Sequence, residues 1–160
     1  MGPTGHTRVV QIHPTRRCNL RCLHCYSSSS PDERDKLEVT LLFNAVTDAA
    51  AEGYNWVSVS GGEPLMYPPL YELLRHTRAC GLHTALTTNG MLLDGRRLDK
   101  LTGLIDLIAI SALCREVYAR ATQAPKPHFF SWYDLVAQVA AETEIQHTHH
   151  APSSMAAQVI

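Results

Sequence analysis

The 160-residue sequence has no hydrophobic run approaching the roughly 20 residues that cross a bilayer, and residues 1–10 lack the apolar core of a secretory leader. Neither a membrane role nor export is expected, and the cytoplasm is the expected compartment. Charge of one sign is missing too. The 14 Lys and Arg against 15 Asp and Glu leave a formal net charge of −1, so no global basic field recruits nucleic acid. No internal repeat is evident beyond an alternation of strand and helix patterns. The cysteines number five, an odd count that argues against a disulfide framework where no leader directs secretion. What remains is one chain of ordinary domain size, 45% apolar, which suffices for a packed core.

Three of the cysteines stand in one short loop, Cys18-Asn-Leu-Arg-Cys22-Leu-His-Cys25. Closely spaced soft thiolates suit an iron–sulfur cluster and must be deprotonated to bind it. A four-iron cluster normally takes one thiolate per iron, so three leave one iron open to a ligand that is not protein. Zinc, with His13 or His24 as fourth ligand, is the alternative, although zinc knuckles usually come as paired C-x2-C units and none pairs here. Cys80 and Cys114 fall outside any motif spacing and read as packing residues. His147, His149 and His150 read as a solvated, disordered tail.

The elements alternate. Residues 8–13 read as a strand. Thr40 is placed to cap a helix whose inward face is Leu42, Ala45, Val46, Ala49 and Ala50, stopped by Gly53 in a left-handed conformation. Val57 and Val59 mark a second strand, running into Gly61-Gly62-Glu63-Pro64. Pro68 and Pro69 open a second helix with Leu70, Leu73 and Leu74 inward and Gly81 as its stop. Residues 83–88 form a third strand, Asp94 caps a short helix through Leu101, and residues 105–110 form a fourth strand apolar enough for burial on both faces. Repeated βα units imply a parallel sheet with right-handed crossovers. The cysteine loop, the Gly-Gly-Glu-Pro turn, Thr87-Thr-Asn-Gly90 and Ser111 then lie together at the carboxyl ends of the strands, the edge where ligands bind in such sheets. Residues 27–34 are expected as a mobile polar loop over the cysteines.

These motifs together resemble the radical S-adenosylmethionine (SAM) enzymes. The cysteine pattern is similar to the family's cluster motif, with His24 at a position usually aromatic. His24-Cys25-Tyr26 looks like the branch that matures peptides, proteins and tetrapyrroles. The resemblance covers about residues 8–111. It implies an α/β fold, an incomplete (βα) partial barrel of about four parallel strands, and a [4Fe–4S] cluster on Cys18, Cys22 and Cys25. It also implies a SAM site drawn from Tyr26, Gly61, Gly62, Glu63, Pro64, Asn89 and Ser111. In the family the open iron chelates the amino and carboxylate groups of SAM, and Gly61, Gly62 and Glu63 would hold that amino group: glycine lets backbone come close, and a carboxylate complements an ammonium. One electron from the reduced cluster then yields a 5′-deoxyadenosyl radical that abstracts hydrogen from a peptide or small-molecule substrate. An external donor must supply the electron.

After Ser111 the likeness stops. Family members continue to a six-stranded partial barrel, whereas here a Pro-rich break at Ala124-Pro-Lys-Pro127 precedes one amphipathic helix over residues 129–145, with Ser131 as its cap. The expected division is a flexible 1–7, a core 8–111 and a divergent tail 112–160, the product of a truncated or frame-shifted gene. Such a chain is expected to expose a sheet edge that favours self-association or a partner chain, and to cleave SAM slowly or not at all alone. A non-catalytic cluster- or zinc-binding fragment is the second reading.

Overall fold

The computed structural model describes residues 7–23 and 25–110. The expectations for His24, Ser111, Cys114, the 129–145 helix and the histidine tail lie outside the described residues. Four short strands, β1 (Val9–Ile12), β2 (Trp56–Val59), β3 (His83–Thr88) and β4 (Leu107–Ile110), form one sheet in the order β1-β2-β3-β4. Every neighbouring pair is parallel. Three helices connect them: α1 (Val39–Ala51), α2 (Leu70–Ala79) and α3 (Gly95–Leu101). Strand order equal to chain order, with all three helices contributing to one core, makes the sheet singly wound. That core gathers Leu42 and Val46 of α1, Leu70, Leu73 and Leu74 of α2, and Leu101 of α3 against Ile12, Val57, Val59 and Leu86.

The opposite face carries the register row Gln11, Ser58, Ala85 and Leu107. It is small or polar in the middle and open at both edges, where Val9 is 50% and Leu107 46% exposed. β4 is therefore not buried on both faces. It also begins two residues later than its apolar pattern suggests. Asp106 is drawn instead into contacts with Arg78 of α2 at 2.8 Å and the Thr84 amide at 2.7 Å, which tie the amino-terminal ends of β3 and β4 together.

Two local expectations change. α1 starts at Val39 with Glu38 as N-cap and no side-chain cap bond, so Thr40 lies inside the helix. Ala45 faces solvent and Phe43 is half-buried in its stead. The helix stops hold: Gly53 has φ +80° and Gly81 φ +78°, conformations open to glycine without a Cβ clash. Asp94 caps α3, accepting from the Arg97 amide at 2.8 Å. No described helix is long and apolar enough to cross a membrane.

Candidate cluster and cofactor site

The loop after β1 carries the three cysteines, and it is held down, not left free. Residues 14–18 are doubled by residues 30–37: Arg16 bonds the Asp35 carbonyl at 3.0 Å, Cys18 the Ser30 carbonyl at 3.1 Å, and Leu37 the Pro14 carbonyl at 2.8 Å, all through backbone amides. Arg16 adds ion pairs to Glu33 and Asp35 at 3.3 and 3.1 Å, and Arg21 pairs with Asp32. The polar segment expected as a loose cover is thus pinned beside the cysteine loop.

Gly61 and Gly62 complete this frame. The Gly62 amide donates to the Thr15 carbonyl and the Glu63 amide to the Arg17 carbonyl, each at 2.9 Å. A Cβ on Gly62 would overlap the Arg17 carbonyl oxygen, and one on Gly61, where φ is +101°, would press on His13. Here the close approach that glycine permits is to the chain's own backbone just ahead of Cys18. The Gly-Gly turn braces the cysteine loop.

Cys18, Cys22, Cys25, Tyr26, Gly61, Gly62 and Asn89 line one cavity of about 330 Å³ at the carboxyl ends of the strands, within the size range of small-molecule sites. Six further residues complete its wall: Thr87 and Thr88, from the motif that the sequence places at this edge, and Leu20, Ser29, Ser60 and Ala109, to which the sequence reading gave no site role. Tyr26 stands at its rim, its hydroxyl 3.2 Å from Ser60 Oγ and 3.3 Å from the Gly61 amide. Its ring meets His13 edge-on.

The three sulfurs differ. Burial pushes the Cys18 thiol up, against the Leu20 amide that bonds it, with Glu63 and Cys25 adding to the rise and the Asn89 side chain opposing it. Burial raises Cys22 as well, and its neighbours Cys18 and Cys25 reinforce this. At Cys25 burial acts in the same direction, but hydrogen bonds from Ser27 and Ser29 outweigh it and bring the thiol below its ordinary value. The Ser29 amide lies 3.3 Å and the Ser27 hydroxyl 3.4 Å from its sulfur. Ser28 between them takes a left-handed φ of 50°. Two of four consecutive serines, at two and four residues past Cys25, are the one sequence signal of this donor pair.

Glu63 is not among the residues that line this cavity. Its side chain is completely buried and accepts from the Leu65 amide at 3.0 Å, the Thr88 hydroxyl at 2.8 Å and the Asn89 amide at 2.9 Å. Burial still lifts its carboxyl above the usual range despite those bonds. Pro64 is buried at the start of a 3₁₀ turn, Pro64–Met66. Both shape the turn and neither faces the cavity.

The donor set, three thiols around one cavity, fits an iron–sulfur cluster. Among the described residues no three His, Cys, Asp or Glu side chains converge where a single ion could sit, as zinc, with sulfurs at about 2.3 Å, demands. A cluster takes its thiolates at separate iron atoms, and all three cysteines line the one cavity.

The Radical SAM superfamily profile matches residues 12–114, more than half of the chain. The chain belongs to the radical SAM superfamily. Over 119 residues it is 36% identical to a GTP 3′,8-cyclase of Chlorobaculum tepidum, covering 71% of this chain and 36% of that protein. A PqqA peptide cyclase of Gluconobacter oxydans is 42% identical over 89 residues, 54% of this chain and 25% of the relative. Among solved structures, SuiB of Streptococcus suis bound to S-adenosylmethionine superposes with a TM-score of 0.64 at 20% identity, covering 84% of this chain and 30% of SuiB. BtrN in complex with AdoMet and 2-DOIA gives 0.64 at 20%, covering 88% and 55%. These likenesses establish the fold as a radical SAM partial barrel, with four of its strands among the described residues. The superfamily's cofactors are a [4Fe–4S] cluster and SAM. The chain spans about a third or less of the length of these curated relatives.

Proposed function

We propose that this chain is the cluster- and SAM-binding part of a radical SAM enzyme that modifies a peptide or small-molecule precursor. One observation carries the reading: the three motif cysteines, the Gly61–Gly62 edge and Asn89 share one cavity at the carboxyl ends of a parallel sheet. In this reading Cys18, Cys22 and Cys25 hold the cluster. Cys25, with its thiol already lowered by Ser27 and Ser29, gives up its proton most readily, while Cys18 and Cys22 lose theirs to the metal. Tyr26, the Gly61–Gly62 backbone and Asn89 border the space for SAM; Ser111, outside the described residues, is proposed as a further SAM contact. Glu63 and Pro64 act by setting that turn. Bound together, cluster and SAM supply reductive cleavage of the sulfonium and hydrogen abstraction by a 5′-deoxyadenosyl radical. The protein contributes orientation and shelter from water.

The relatives' names span a nucleotide, porphyrins and a peptide, and SuiB is solved with its precursor peptide. The peptide cyclase and SuiB support a peptide substrate for this chain, and an external electron donor completes the cycle. The test is a titration of the anaerobically reconstituted chain with SAM, followed by electron paramagnetic resonance. The expected result is a changed cluster spectrum that saturates with SAM; an unchanged spectrum contradicts the reading.

A further inference from the structure

Glu63 holds the backbone of Asn89, and the Asn89 side chain reaches a single sulfur. The three donors to the buried Glu63 carboxylate are all neutral, a costly way to bury a charge, so its placement calls for a purpose. Oε1 takes the Thr88 hydroxyl, and that oxygen in turn accepts the Gly90 amide at 3.1 Å. Oε2 takes the Asn89 amide. The turn at 88–90 is thereby clamped to the Gly-Gly-Glu-Pro turn. The Asn89 side chain is oriented as well. Its Oδ1 accepts from the Met91 amide at 3.0 Å, which leaves Nδ2 facing Asn19 Oδ1 at 2.8 Å and Cys18 Sγ at 3.7 Å. Cys25 receives its hydrogen bonds from its own loop. Cys18 receives a side-chain amide from a residue 71 positions away.

Resting on the cluster-binding reading above, we infer that Glu63 is a positioning residue that holds Asn89 so that its side-chain amide donates to the Cys18 thiolate of the bound cluster, raising the cluster's reduction potential. The physical reason is charge. A reduced cluster carries more negative charge on its sulfurs, an N–H donor stabilises that charge, and hydrogen bonds to sulfur are among the terms that set such potentials. Glu63 acts through Asn89 and touches neither metal nor sulfur.

The test is the midpoint potential of the anaerobically reconstituted chain, measured without SAM by a redox titration under electron paramagnetic resonance, with iron and sulfide counted. Wild type, Asn89→Ala, Glu63→Gln and the double variant are compared. The expected result is about four irons per chain in each, a shift to more negative potential in both single variants, and a double variant no further shifted than Asn89→Ala, since the two act in one line. An unchanged potential in Asn89→Ala overturns the inference. So does an unchanged potential in Glu63→Gln, and if SAM affinity alone falls in that variant, the carboxylate serves SAM directly. If Glu63→Gln does not fold by circular dichroism, Glu63→Asp, which draws the carboxylate back from Asn89, takes its place under the same criterion. A wild-type chain that assembles no four-iron cluster defeats the underlying reading, an outcome distinct from a normal cluster whose potential ignores both substitutions.

Discussion

At the scale of single residues, position and direction proved separable. The three cysteines and the two glycines could be placed from the sequence because spacing alone brings them to one strand edge. The direction of Glu63 could not. A carboxylate after Gly-Gly reads as a free charge, and only the fold reveals the Thr88 and Asn89 donors, 25 and 26 positions on, that turn it inward. Gly62 is the sharpest local test. A methyl group there overlaps the Arg17 carbonyl, and overpacking of this kind costs about 1–3 kcal/mol. Gly62→Ala should therefore lower the thermal midpoint and impair cluster assembly, whereas Gly95→Ala, where a Cβ meets nothing within 4 Å, should do neither. The cysteines offer a second test. Cys25 is lowered by Ser27 and Ser29, while Cys18 and Cys22 are raised by burial. Iodoacetamide near neutral pH should alkylate Cys25 of the metal-free chain first, and Ser27→Ala should slow that reaction. Labelling of Cys18 ahead of Cys25, followed by peptide mass spectrometry, would contradict this account.

At the scale of elements, the alternation of strands and helices was legible because apolar period and glycine stops agree. The third strand, residues 83–88, coincides residue for residue. What escaped was the start of β4 and the start of α1, where contacts outside the element decide. Asp106 is the clearest case. Burial acts to raise its carboxyl, but the Thr84 amide, His83 and Arg78 outweigh that and hold it below the usual carboxylate range. A carboxyl lowered on folding stabilises the fold above its unfolded value, near 3.9, and the contribution fades as pH falls through the folded value. Asp106→Asn should cost roughly 1 kcal/mol at neutral pH, as read by urea denaturation. The difference from wild type should shrink as the pH drops below about 4. A difference that grows on acidification would show that Asp106 is not held as described.

At the scale of the whole molecule, the described sheet buries its helix-covered face and leaves the other open, with Leu107 exposed on β4 at one edge and Val9 on β1 at the other. Edges without a partner strand among the described residues, and apolar rims, favour association. Sedimentation of the purified chain should show concentration-dependent self-association that persists at high salt; a monomer at all concentrations would contradict this. The same open face leads us to expect little or no 5′-deoxyadenosine from this chain alone, even with cluster and SAM bound, so turnover is a poor measure of what the site is. The direct measure is anaerobic reconstitution with iron and sulfide, with metal analysis of wild type and the Cys18, Cys22 and Cys25 alanine variants. About four irons and four sulfides per wild-type chain, with the count collapsing in each single variant, is the predicted result. Zinc in place of iron, or an iron count that survives replacement of all three cysteines, would contradict it.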